Sequence, residues 1–323
     1  MDHSEFIYGY YFNEDNQKDQ DNKIKSLSSV DKERSFWLHF DYTQEIAKQW
    51  LTEQSQLNPV VITALLNEET RPRATPLNGG VLMSLRGVNL APNSDPHDMV
   101  SIRLWFAKDK IISTRFRTLL STKDIAADFD NNEGPQTPSE FITILTENLI
   151  TRMGQTIYEI EESVSDIEEN ILTSSTHDLR NELSDLRRQI ISLRRYLSPQ
   201  REAMSQLFSD KISLFTNEEK ILLRETSDHL TRYIEDLDSI KDRAIVCQEE
   251  LNHKLNDQMN NRMFVLSVVA AVFLPLGFLT GLLGINVGGI PGSDNSNAFS
   301  IFILILIVVV ILQVWVFKKK KWF

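Results

Sequence analysis

Asn260, Met263, Ser267, Ala270, Leu274, Gly277 and Gly281 recur at intervals of three or four, so on a helix they share one stripe, and most are small or polar. Inside a membrane, such a stripe could border a wet path for an ion. It could equally serve close helix packing, to which Gly277 and Gly281 are suited, and spacing alone leaves both readings open. Between Met263 and Phe317 the only ionisable side chain is Asp294. No carboxylate, imidazole or thiolate therefore waits within the spans to strip a cation of its water, and an ion on this path would keep much of its hydration shell.

The elements that must carry the stripe are two long uncharged stretches, Met263 to Leu283 and Ala298 to Phe317, separated by GINVGGIPGSDNSN. Each has about 20 residues, and at ~1.5 Å per residue it matches a hydrocarbon core of roughly 30 Å. Pro275 removes a backbone donor from the first span and is expected to bend it slightly. Lys318, Lys319, Lys320 and Lys321 follow the second span, Lys254 and Arg262 precede the first, and the connecting loop has no Lys or Arg. Both flanks are therefore expected in the cytoplasm. The opening MDHSEFIYGYYF lacks a basic segment followed by an apolar run, so no signal peptide is expected, and the single cysteine, Cys247, excludes an intrachain disulfide. Two helices cannot enclose a polar path, so conduction requires several chains around one axis.

The chain has 34 basic and 45 acidic side chains; the four terminal lysines and Asp294 lie beyond residue 262, leaving 30 against 44 before it. So acidic a domain disfavours nucleic acid as a partner. It suits either a cation-enriching vestibule or simply a soluble surface.

Up to about residue 135, strand and helix signals alternate. Phe6 to Phe12, Ser35 to Asp41, Gly80 to Leu90, Met99 to Ala107 and Lys110 to Phe116 are rich in aromatic and β-branched residues and predict strands, the last two joined by a tight turn at Lys108 and Asp109. Thr43 to Glu53 has helical spacing, and Asn58 with Pro59 predicts a capped helix from Val60 to Asn67. The expectation is an α/β domain with a mixed sheet and no catalytic constellation.

From Pro138 the pattern is helical. Ile157, Ile160, Val164, Ile167 and Ile171 mark one apolar seam on an acidic helix; Leu179, Leu183, Leu186, Ile190, Leu193 and Leu197 mark another on a helix rich in arginine. Their opposite charge and the polar turn at Thr173 to His177 predict an antiparallel pair. Leu230, Tyr233, Leu237, Ile240, Ala244, Cys247 and Leu251 continue the seam on a third helix, which, if it runs through to Leu283, is about 66 residues and ~100 Å long. Cys247 on that seam reads as core packing. The histidines read as surface or packing residues, although His253 and Asp257, one turn apart, could form a weak cytoplasmic metal site.

The segment FLPLGFLTGLLGINVGGIPG (Phe273 to Gly292), set between two C-terminal spans and preceded by LRRYLSPQRE (Leu193 to Glu202), resembles the CorA family of divalent metal ion transporters. Gly284, Ile285 and Asn286 stand where most of that family has Gly-Met-Asn. This replacement, the loop VGGIPG (Val287 to Gly292), WLHFDY (Trp37 to Tyr42) and TRPRATPL (Thr70 to Leu77) are similar to its zinc-transport (ZntB) branch. The resemblance implies a funnel-shaped homopentamer in a bacterial inner membrane with both termini cytoplasmic. It places Gly284, Ile285 and Asn286 at the outer mouth, and Asn260, Met263, Leu266, Leu274 and Gly277 toward the pore. Leu283 departs from the aromatic residue the family often has before the motif.

With that implied arrangement the chain divides into a cytoplasmic α/β domain (1–135), a helical stalk (136–262), a pore-lining span (263–283), a periplasmic loop (284–297), a second span (298–317) and a basic tail (318–323). Amide oxygens of Asn286 would bind a divalent ion through its hydrating waters, with Asp294 as a weaker contact, while Met263, Leu266 and Leu274 would form apolar collars that can gate by dewetting. The expected activity is transport of a divalent cation, zinc foremost, with no cofactor besides the ion carried. A magnesium, cobalt or nickel channel is the alternative. Zinc rests on the resemblance alone, because zinc ordinarily selects Cys, His or carboxylate ligands and the spans offer none. Whether flux is passive or coupled to protons stays open, as does its direction. The reading from another class is a membrane-anchored coiled-coil scaffold, which would need neither Gly284 and Asn286 nor a small-residue stripe.

Overall fold

The computed structural model describes residues 5–13, 22–68, 70–77, 79–92, 94–171, 176–284 and 295–320. By internal contacts the chain forms two compact units, Met1–Gln248 and Glu249–Phe323.

The first unit is built on a six-stranded sheet in the order β1-β2-β6-β5-β4-β3, with strands Tyr8–Tyr11 (β1), Phe36–Asp41 (β2), Arg73–Leu77 (β3), Gly80–Gly87 (β4), Val100–Ala107 (β5) and Lys110–Arg115 (β6). Only β2 and β6 run parallel, so the sheet is mixed, as the sequence predicts. Lys108 and Asp109 make the tight β5–β6 turn, and Gly79 takes the positive φ of 83° between β3 and β4. β3 was not among the predicted strands: it is a largely exposed edge containing Pro76, so it lacks the alternation of a half-buried strand.

Alternation sets two apolar faces. Phe36, Leu38, Phe40, Leu82, Trp105 and Ile112 pack with Trp50, Leu51, Val61 and Leu65, contributed by the short helical segments that follow β2. There the predicted helix from Thr43 to Glu53 is interrupted: α1 (Glu45–Gln49) passes into a π-helical turn at Trp50–Gln54, which is followed after Asn58 by α2 (Pro59–Leu66). Asn58 caps α2, its side chain accepting from the Val60 amide at 2.9 Å, with Pro59 at the first helical position. The other face carries Trp37, whose ring lies 4.6 Å from that of Phe141, and Tyr10, stacked at 4.8 Å on Phe129. Phe129 belongs to α3 (Leu120–Asp130), a helix the periodicity did not suggest; Asp124, Asp128 and Asp130 alternate with its few apolar residues.

Two long helices complete this unit with the first part of a third: α4 (Pro138–Asn170), α5 (Thr176–Leu207) and the start of α6 (Asn217–Leu283). Thr137 caps α4 by accepting from the Glu140 amide at 3.1 Å. Thr216 and Glu219 cap α6 reciprocally, at 3.2 and 2.7 Å. The predicted seam residues are buried: Ile157, Ile160, Val164 and Ile167 on α4, Leu183, Ile190, Leu193 and Leu197 on α5, Leu230, Leu237, Ile240, Ala244 and Cys247 on α6. Arg243 of α6 grips Glu168 of α4 through two bonds of 2.6 and 3.1 Å, and Arg194 of α5 grips Asp238 of α6 at 2.5 and 3.0 Å. Opposite charge on α4 and α5 is thus met by α6, which carries both signs. Gln200 ties α5 to the sheet, accepting from the Arg86 amide at 2.7 Å and donating to its carbonyl at 3.0 Å.

The second unit contains the rest of α6, uninterrupted to Leu283, and α7 (Ala298–Lys319). Both helices are long and apolar enough to cross a membrane, and their apolar windows are not buried in the protein. Lys318 and Lys319 fall in the last turn of α7, where cations suit the helix dipole.

Candidate functional site

The hairpin separates two faces of α6. Val268, Ala271, Val272, Pro275, Leu276 and Leu279 are partly covered, as are Phe302, Leu306, Val309, Val310, Gln313 and Phe317 along α7. These two sets, each stepping by three and four, mark the faces the helices turn to one another. Asn260, Met263, Leu266, Ser267, Ala270, Leu274, Gly277 and Gly281 are all exposed. At about 100° per residue their stripe lies on the side of α6 opposite α7. Met263, Leu266 and Leu274 are 68%, 73% and 74% exposed, so most of the surface of these three large apolar residues is left uncovered by their own chain.

The small residues sharpen the point. A Cβ added at Gly277 or Gly281 would meet no atom within 4 Å, so neither glycine is required for packing within this chain. At Gly284 a Cβ would meet the Thr280 carbonyl at 2.7 Å, which ties that glycine to the end of α6. Ile285, Asn286 and Asp294 lie outside the described residues.

His253 and Asp257 are exposed on α6, and no group of three or more His, Cys, Asp or Glu side chains that could hold a metal occurs among the described residues. Cys247 is buried in the helical seam, its thiol 3.8 Å from a Glu168 oxygen that already serves Arg243. Those bonds to Arg243 hold the Glu168 carboxyl below its usual range. His39 is fully buried, with Nδ1 at 2.8 Å from the Ser113 hydroxyl, which also accepts from Trp37 Nε1 at 2.8 Å. Burial, and secondarily the charge of Arg115, push it well below an ordinary histidine, so it is a neutral packing residue at pH 7.

One polar residue of the spans went unnoticed in the sequence. Gln313 of α7 is partly covered and its Nε2 donates to the Ala271 carbonyl of α6 at 3.3 Å. The signal was available: it is the one carboxamide between Ala298 and Phe317.

A family model described as CorA-like Mg2+ transporter protein matches residues 32–319. The chain belongs to this CorA-like family. Among its relatives, the divalent cation transporter CmaX of Pseudomonas aeruginosa is 37% identical over 320 residues, covering 98% of this chain and 96% of that protein. The zinc transport protein ZntB of Yersinia enterocolitica is 34% identical over 322 residues, covering 99% and 96%. The structure of full-length CmaX superposes with a TM-score of 0.84 at 35% identity, over 98% of each chain. The complete CorA magnesium transporter of Methanocaldococcus jannaschii shares the fold at 12% identity, with a TM-score of 0.82 over 98% of this chain and 99% of that one. The CorA-like architecture inferred from the C-terminal motif is therefore that of the whole chain.

Proposed function

We propose that copies of this chain assemble as a closed ring of five in the bacterial inner membrane, with both termini cytoplasmic, and carry divalent cations, zinc foremost, through an axial path bordered by α6. The observation that carries this reading is the stripe from Asn260 to Gly281, which is left bare by α7 and lies opposite it. A ring of first spans would cover that stripe with neighbouring copies and enclose water along the axis. Without ionisable side chains in the spans, the cation keeps its inner waters, and the Asn286 amides at the outer mouth accept hydrogen bonds from them. Met263, Leu266 and Leu274 form the apolar constrictions that open and close by wetting. The names of the relatives support a divalent cation in general as firmly as zinc.

Flux of zinc, nickel, cobalt and magnesium into liposomes holding the purified protein, with and without a pH gradient, tests the proposal. Zinc uptake well above empty vesicles, with the other ions ranked beside it, is expected. Uptake no faster than in empty vesicles under either gradient would leave only a membrane-anchored scaffold.

A further inference from the structure

Within an α-helix the carbonyl of one residue accepts from the amide four residues later. Pro275 lies inside α6 and has no N–H, so the Ala271 carbonyl loses its usual donor. In hydrocarbon, water cannot replace that donor, and a carbonyl left bare there is costly. Ala271 and Pro275 both lie on the face covered by α7. The Gln313 amide of α7 donates to this same carbonyl at 3.3 Å. Of the partly covered positions along α7 that meet α6, Gln313 alone has a hydrogen-bonding side chain; Ser300 and Trp315 are exposed. An amide in the hairpin and a proline in the facing helix would each be unfavourable alone, and here each supplies what the other lacks.

We propose that Gln313 is a positioning residue for ion passage, which captures the proline-freed carbonyl of Ala271 and so ties the first span to the second at Pro275. The stripe residues Leu274 and Gly277 lie within a turn of Pro275, away from α7, so the backbone held at that proline also holds the segment that carries them. The bond stands on its own geometry; its consequence for passage rests on the pore reading above.

A double-mutant cycle separates these two layers. Gln313→Met keeps the side-chain volume and removes the donor, while Pro275→Ala returns an N–H to the helix and gives Ala271 its own partner. Zinc flux per assembled particle in liposomes is expected to fall roughly three- to tenfold for Gln313→Met with Pro275 present, the factor one hydrogen bond between membrane helices carries. With Pro275→Ala in place, the same glutamine change should alter flux less than about twofold. An equal loss in both backgrounds, or flux per particle unchanged by Gln313→Met, overturns the positioning role. Thermal unfolding of the four proteins in one detergent reads the bond without transport: Gln313→Met lowers the midpoint only when Pro275 is present, and an equal lowering in both backgrounds overturns the capture itself. Absence of flux in the unaltered protein would defeat the pore reading and leave the thermal cycle to decide on the bond.

Discussion

Gln200 and Gln313 are two amides, one in the sheet-containing unit and one in the apolar hairpin, and each repairs a gap in another element's backbone. β3 reaches only as far as the partner of Ser84, so Arg86 of β4, paired with Ser101 of β5 on one side, has no strand on the other, and Gln200 takes that place with both ends of its amide. Gln313 covers a gap left by Pro275, but with one end only: its Oε1 has no partner among the described residues. Within the first unit Arg243 and Arg194 are each held bidentately between helices, while the hairpin leaves the stripe side of α6 bare. A chain completed by copies of itself is expected to show this division: side chains bonded between elements where it packs on itself, and bare apolar surface where the copies meet.

The contrast can be broken most forcefully in the core of the first unit. Leu193→Ala, in the middle of the α5 seam, is expected to lower stability by about 2–5 kcal/mol, whereas Leu266→Ala on the bare stripe should change the stability of the monomeric chain by less than about 0.5 kcal/mol. Thermal unfolding in detergent compares the two directly, and a large loss from Leu266→Ala under conditions where the chain is monomeric would contradict the division. Next, Gln200→Leu leaves a part-buried N–H and C=O on β4 without their side-chain partner and should cost about 1–2 kcal/mol. A neutral result would mean that the strand edge is otherwise satisfied.

Acid sharpens the comparison further, because its targets lie in the first unit. His39 is held well below its ordinary 6.5, so the unfolded chain takes up a proton there that the folded sheet refuses. The stability this represents is full above pH 6.5 and is lost progressively as pH falls toward the depressed folded value. Glu168 and Asp238, lowered by hydrogen bonds from Arg243 and Arg194, add stability that persists above their ordinary 4.5 and 3.8 and is lost as pH falls through their depressed values. Melting temperature should therefore decline in two stages, and His39→Gln should flatten the first, between pH 7 and 5, without touching the second. The second stage is the smaller: both carboxylates are more than a third exposed, so each ion pair contributes at most about 1 kcal/mol, and Glu168→Gln should remove only its own share.

The parts of the fold that were legible in the sequence are those whose pattern repeats. β2, β5 and β6 are runs of aromatic and β-branched residues buried on both faces, and the seams of α4, α5 and α6 step by three and four over many turns. Segments shaped by their neighbours were hidden: β3 is a strand because β4 offers it an edge, α3 because Phe129 stacks on Tyr10, and the π-helical turn because Trp50 and Leu51 must both reach the core. For the site, spacing identified the stripe but not its surroundings. That Gly277 and Gly281 have no packing role in their own chain, and that Gln313 faces a carbonyl 42 residues away, are facts of tertiary placement.

The central claim is that the Asn260–Gly281 stripe borders water within an assembly. In a Cys247→Ala background, single substitutions Ser267→Cys, Ala270→Cys and Gly277→Cys on the stripe, and Val268→Cys, Val272→Cys and Leu279→Cys on the α7-facing side, can be treated with a membrane-impermeant, water-soluble thiol reagent in proteoliposomes. The stripe cysteines are predicted to react, and to be protected by excess zinc, while the other three stay unmodified. Modification of both sets alike, or of the α7-facing set alone, would contradict the account.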